Sequence, residues 1–206
     1  MPIRQGHDDR LRFYADQLLI LAAKALRDGW RNTAELPGGL SATAVPTAPN
    51  ASGDERRLAT LAVPLRREGD VTVSHTREVS LVLRYAGACE RFGIDLERTT
   101  PERPRVASRI RSTMEFDTLP LDAPWPDIIR CFCTKEAAFK ALAPQDQLGL
   151  TFRQLAVDQS DRGEAAWVRR VRDGHVVADT CVVSDANLVV AIAKAAAMWP
   201  TSFGGR

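Results

Sequence analysis

Phe92-Gly93-Ile94-Asp95-Leu96-Glu97 is the stretch from which the rest of the chain is read. Apolar and acidic residues alternate along it. As a strand it sends Ile94 and Leu96 to one face and Asp95 and Glu97 to the other. Two neighbouring carboxylates repel, and a cation between them relieves that cost. Mg²⁺ suits such a pair because it takes hard oxygen ligands and keeps water and substrate phosphate as the others. The same pattern also describes a strand with one solvated acidic face, and the spacing alone leaves both readings open.

Upstream, Val71–Thr76 and Val79–Tyr85 are short β-branched or leucine-rich runs that predict a hairpin or a neighbouring pair of strands. Before them, Leu36–Glu55 is rich in Pro, Gly, Ala, Ser and Thr, with few large apolar side chains. This composition predicts a long loop or linker, with a mobile flap as its functional reading. The N-terminal segment predicts an amphipathic helix from Arg10 to Arg27, with Leu11, Tyr14, Leu18, Leu21, Ala22 and Ala25 on one face and Gly29 as terminator. Downstream, the Pro- and Arg-rich turn TTPERPR leads to a short helix through Val106–Met114. A second helix runs from Ile128 to Leu142 with Pro126 in its first turn, and strands follow at 150–157, 165–171, 176–183 and 187–193. Two successive helix-plus-strand blocks predict an α+β fold of two halves, 1–100 and 101–206.

Composition narrows the function. The chain of 206 residues carries 28 Lys and Arg against 26 Asp and Glu, a balance that makes no case for a nucleic-acid partner. No purely apolar run is longer than Leu18–Ala23, which is too short to span a bilayer, and the first ten residues lack the apolar core of a signal peptide. The expectation is a cytoplasmic protein without a membrane partner. The four cysteines (Cys89, Cys131, Cys133, Cys181) lack CxxC spacing and are expected to be reduced and mostly buried. His7, His75 and His175 are too scattered to suggest a histidine-based metal site.

The second informative stretch is Cys131-Phe132-Cys133-Thr134-Lys135-Glu136-Ala137-Ala138-Phe139-Lys140. On a helix Phe132, Glu136 and Lys140 share one face, and a surface Glu–Lys pair would explain the last two without any function. Lysine usage argues otherwise. Only Lys24, Lys135, Lys140 and Lys194 occur in a chain that otherwise uses arginine, and two of them fall within this segment. A compact ammonium meets a phosphate oxygen as a point charge, which a guanidinium does not.

Ser74-His75-Thr76, GIDLE at 93–97 and FCTKEAAFKAL at 132–142, taken together in order and spacing, resemble the 4′-phosphopantetheinyl transferases. The closer resemblance is to the long, single-chain kind that activates polyketide, nonribosomal-peptide and siderophore synthases, and it extends from Val73 to Leu142. It implies two similar α+β halves with coenzyme A in the cleft between them. It implies that Asp95, Glu97 and Glu136 hold Mg²⁺ against the pyrophosphate and that Lys135 and Lys140 meet the phosphates. By the same resemblance, Ser74 and His75 belong to the coenzyme A site, with His75 on the 3′-phosphate. Glu115 in STMEFDTL matches an acidic position between the two main motifs, and Asp9-x-x-Arg12 resembles a first-helix pattern whose arginine approaches the nucleotide. Where the family carries a Gly-Lys-Pro segment, this chain has VPLRREGDVTVSHT. Arg56, Arg57, Arg66 and Arg67 are then the basic residues available to the nucleotide, with Arg57 the first choice.

The expected activity is Mg²⁺-dependent transfer of 4′-phosphopantetheine from coenzyme A to a serine of an apo acyl or peptidyl carrier protein, giving holo carrier and 3′,5′-ADP. Glu136 is the expected base, Glu115 the second choice, and Lys140 the group that meets charge on the phosphate. The protein is expected to act as a monomer; Arg105, Arg109 and Arg111 offer a face complementary to an acidic carrier, and a solvated helix face explains them equally well. Two alternatives stand beside this: a non-catalytic coenzyme A or carrier-binding module of the same fold, and a Mg²⁺-dependent pyrophosphate hydrolase using the same carboxylates.

Overall fold

The computed structural model describes residues 9–47, 70–85, 90–159 and 163–196. Helix α1 (Asp9–Asp28) is followed by strands β1 (Asn32–Leu36), β2 (Leu40–Pro46), β3 (Asp70–His75), β4 (Val79–Tyr85) and β5 (Phe92–Arg98). A short helix α2 (Ala107–Ile110) precedes α3 (Trp125–Ala141) and the one-turn α4 (Pro144–Gln147). Strands β6 (Leu155–Gln159), β7 (Ala165–Arg170), β8 (Val176–Ser184) and β9 (Leu188–Ala195) complete the described chain. The strands form two antiparallel sheets, in the orders β1-β2-β4-β3 and β5-β9-β8-β7-β6. The fold is α+β, and each sheet carries a long helix across it.

Strand β9 shows how the layers stack. Leu188, Val190 and Ile192 pack into the core under α1, whereas Val189, Ala191 and Ala193 pack into the core under α3. The second sheet is therefore covered on both faces here, and the interior strand β9 reads as a nearly continuous apolar run for that reason. Helix α1 also covers β1, β2 and β4, so its buried face (Leu11, Tyr14, Ala15, Leu18, Leu21, Ala22, Ala25) joins the two sheets into one molecule. Gly29, in the left-handed region at φ 68°, ends α1, its N–H donating to Ala25 O at 3.1 Å.

The loop expected at 36–55 is ordered structure as far as Pro46. Leu40–Pro46 is β2, paired along its length with β4, and Pro37-Gly38-Gly39 makes the turn from β1. Ala42 and Ala44 are fully buried against α1. Their small size lets helix and sheet approach, so a strand that looks poor in apolar mass is a core strand. Residues 48–55, like Arg56, Arg57, Arg66, Arg67 and Cys89, lie outside the described residues. The helix expected over Val106–Met114 is also shorter: α2 is one turn, and the chain leaves it at Arg111 for a separate 3₁₀ turn at Thr113–Glu115. Ser112 and Glu115 cap each other there, which competes with continuing the helix. Strand β5, which the sequence places before a seam near residue 100, pairs by its backbone with β9 of the second sheet.

Cys131, Cys133 and Cys181 are buried free thiols, as expected. Among the described residues no helix is long and apolar enough to cross a membrane.

Candidate active site

The site begins with a missing side chain. Along β5, Phe92, Ile94 and Leu96 enter the core under α1, so Gly93, Asp95 and Glu97 face α3. A Cβ on Gly93 would lie 2.1 Å from Ala137 O, 2.5 Å from Ala141 N and 2.9 Å from Lys140 C, all backbone atoms of α3. Glycine here lets the helix backbone rest on the strand. The turns of α3 that carry Glu136 and Lys140 are brought over Asp95 as a result.

Asp95 is 1% exposed, and its Oδ1 accepts hydrogen bonds from Lys140 Nζ at 2.9 Å and Ser74 Oγ at 2.8 Å. Its Oδ2 is buried without a hydrogen-bond partner. Lys140 Nζ also pairs with Glu136 at 3.2 Å. Burial pulls the Lys140 pKa down, but the charges of Asp95 and Glu136 outweigh it and hold the ammonium protonated. Burial, then the Asp95 charge, raise the Glu136 carboxyl against the opposing pull of Lys140. Glu97 is pushed up to about 7, first by burial and then by Asp95 and Glu136. Three carboxylates that feel one another's charge, one with an orphaned buried oxygen, are short of positive charge.

That deficit is the test of whether a divalent cation fits. The donors are hard carboxylate oxygens, and Asp95 Oδ2 is both desolvated and unused. Among the described residues no three His, Cys, Asp or Glu side chains already close around one point, and Lys140 stands on both Asp95 and Glu136. The chemistry of the donor set fits Mg²⁺. The side chains as folded are paired through Lys140 rather than drawn into a cage.

The remaining expected residues separate. His75, exposed at the end of β3, lines a cleft of about 350 Å³ together with Glu97, Arg98, Arg103, Trp125 and Phe132. Ser74 is buried, and its hydroxyl is committed, donating to Asp95 and accepting from Leu96 N at 3.0 Å. Lys135 is not at the cluster. It is fully buried, and its ammonium donates to Glu115 Oε2 at 2.5 Å, Ile110 O at 2.7 Å and Phe152 O at 3.3 Å. All three of its donors are spent. Glu115 is equally enclosed: Oε2 also accepts from Ser112 N and Oγ, and Oε1 from Val157 N. The pair ties α2, the 112–115 turn and β6 to α3, with no oxygen left over for proton transfer. Arg12 is exposed and ion-paired with Asp16 and Glu164, not with the cluster. Gly93, which sequence reading passed over, is the position on which the geometry depends; its place between two inward-facing β5 neighbours and under an Ala-rich helix was the available signal.

Two clefts thus flank the carboxylates, the one lined by Glu97 and a smaller one of about 270 Å³ lined by Lys140, Arg91, Tyr85 and Gln147. Together with the cluster they make an acidic centre with open space on either side, where β3 of the first sheet meets β5 of the second. The chain belongs to the 4′-phosphopantetheinyl transferase superfamily, whose family model matches residues 91–193, half of its length. Among solved structures it is similar to the holo-[acyl-carrier-protein] synthase of Thermotoga maritima, at 23% identity and a TM-score of 0.43. That alignment covers 52% of this chain and 64% of the other, so it spans less than two thirds of that relative. No curated protein matches the chain.

Proposed function

We propose that this protein transfers the 4′-phosphopantetheine group of coenzyme A to a serine of an apo acyl or peptidyl carrier protein, releasing 3′,5′-ADP. Membership of the superfamily supports the reaction class. The observation that carries the residue assignment is the buried Asp95 carboxylate, one oxygen held by Lys140 and the other unused, beside Glu136 and Glu97.

Mg²⁺ held by Asp95, Glu97 and Glu136 would supply neutralisation of the pyrophosphate charge. The carrier serine Oγ attacks the β-phosphorus, and the bond from that phosphorus to the bridging oxygen breaks. The serine proton passes to Glu136, whose carboxylate burial and the Asp95 charge make more basic than an ordinary glutamate. The electron pair leaves with the bridging oxygen on 3′,5′-ADP, where the Lys140 ammonium meets the charge. His75, on the rim of the Glu97 cleft, would meet the 3′-phosphate; Arg57, outside the described residues, is the further basic residue assigned to it in this reading. Glu115 and Lys135 have no part in proton transfer or phosphate binding in this reading, because their polar atoms are already paired. Exposed Arg105 and Arg109, with the exposed Met114 and Phe116 on the segment that follows, form the surface offered to a carrier. In this reading the protein acts as a monomer.

Intact-protein mass spectrometry of apo acyl and peptidyl carriers incubated with the protein, coenzyme A and Mg²⁺ tests this. The expected result is a gain of one phosphopantetheine, abolished by EDTA and by Glu136→Ala, and largely lost in Lys140→Arg. A well-folded Glu136→Ala protein that still transfers would overturn the mechanism. Coenzyme A binding without transfer across a diverse carrier panel would replace the enzyme by a binding module.

A further inference from the structure

The two sheets meet where edge strand β3 runs beside edge strand β5, and side-chain hydroxyls do the joining. Thr72 Oγ1 accepts from Ile94 N at 3.3 Å, and two residues on Ser74 Oγ accepts from Leu96 N at 3.0 Å. Both hydroxyls are buried and both hold the seam. A hydroxyl has one donor besides its lone pairs, and here the two residues differ. Ser74 gives its proton to Asp95 Oδ1, the oxygen that Lys140 also holds.

We propose that Ser74 is a positioning residue for Asp95 rather than a ligand of coenzyme A. Two donors on Oδ1 fix the rotation of the carboxylate, and that rotation is what keeps Oδ2 free in the buried site. A carboxylate already turned towards its cation loses little freedom on binding, so the hydroxyl raises cation affinity without touching the cation. The inference rests on the reading of Asp95 as a metal ligand given above.

The test compares matched hydroxyl deletions, Ser74→Ala and Thr72→Val, in the full chain, with Ser74→Thr as the conservative variant. Mn²⁺ alone is the probe, and its binding is read from the loss of the free-ion electron paramagnetic resonance signal, with urea midpoints recorded for every variant. Each deletion removes one seam hydrogen bond, and Ser74→Ala also removes the one to Asp95, so Ser74→Ala lowers stability at least as much as Thr72→Val. Only Ser74→Ala is expected to weaken Mn²⁺ binding, by about tenfold. Thr72→Val stays within about twofold of the parent, and Ser74→Thr restores affinity. Unchanged binding in Ser74→Ala overturns the positioning role while leaving the metal reading intact, as does an equal weakening in Thr72→Val. No Mn²⁺ uptake by the unmodified protein, alone or with coenzyme A, overturns the metal reading and the positioning role together. Phosphopantetheine transfer by that protein then decides separately whether the proposed activity stands.

Discussion

Gly93→Ala adds one methyl group and tests the whole arrangement of the site. The new Cβ would stand 2.1 Å from Ala137 O and 2.5 Å from Ala141 N. Neither atom is the end of a flexible side chain, so no rotamer change relieves the contact. Helix α3 must withdraw from β5 by about 1 Å, since real Cβ contacts do not fall below 3.0 Å. Overpacking of a well-filled core costs about 1–3 kcal/mol, and a clash with three backbone atoms of one helix belongs at the upper end. With a urea dependence of about 2 kcal/mol/M, a loss of about 3 kcal/mol moves the unfolding midpoint down by about 1.5 M. The same displacement carries Glu136 and Lys140 away from Asp95, and a misplacement of about 1 Å at reacting groups costs about 100-fold in rate. Urea denaturation and single-carrier transfer kinetics on the folded fraction measure the two effects. Ile94→Val is the control on the opposite face of the strand; it loses about 1 kcal/mol and leaves kcat alone. A Gly93→Ala protein within about 0.5 M of the parent midpoint and within twofold of its rate would refute the argument that helix contact at this glycine builds the site.

Two further outcomes are expected. Lys135→Met leaves Glu115 buried without its cation and lowers stability by about 3–5 kcal/mol, whereas the pair of changes Lys135→Met and Glu115→Gln costs less than the two singly. The surviving folded protein keeps its KM for coenzyme A, and a large rise in that KM at full folding would return Lys135 to the phosphates. The stability of the metal-free protein should also fall as pH rises from about 4.5 to 7. In that window folded Glu97 keeps a proton that the unfolded chain has released, so deprotonation favours unfolding, by at most about 3 kcal/mol over the whole range. Thermal melts across this window in Glu97→Gln should lose most of that slope; a slope unchanged from the parent would mean that another group carries it.

Alternation in FGIDLE is enough to say which side of β5 is acidic, and the structure keeps Ile94 and Leu96 under α1 and the carboxylates under α3. The long helices, α1 and α3, are legible for a similar reason: period and capping are local, and each is read to within about three residues of its bounds. Strand β2 is not legible, because Ala42 and Ala44 become core only when α1 is close enough for alanine to fill the gap. The division of labour between two lysines five residues apart is likewise hidden. Lys135 and Lys140 look alike in a lysine-poor chain, yet one is sealed into a structural pair and the other reaches the carboxylates. Their directions depend on the rotational phase of α3 about its axis, which is set by Gly93 and by the packing of the opposite helix face. The sequence by itself determined the family, the acidic strand and the helix that faces it, because these are written in neighbouring residues. Which oxygen of Asp95 is free, what holds the other, and which lysine and glutamate are spent on the fold were decided only by tertiary structure, because each depends on a contact between segments about 20 or more residues apart.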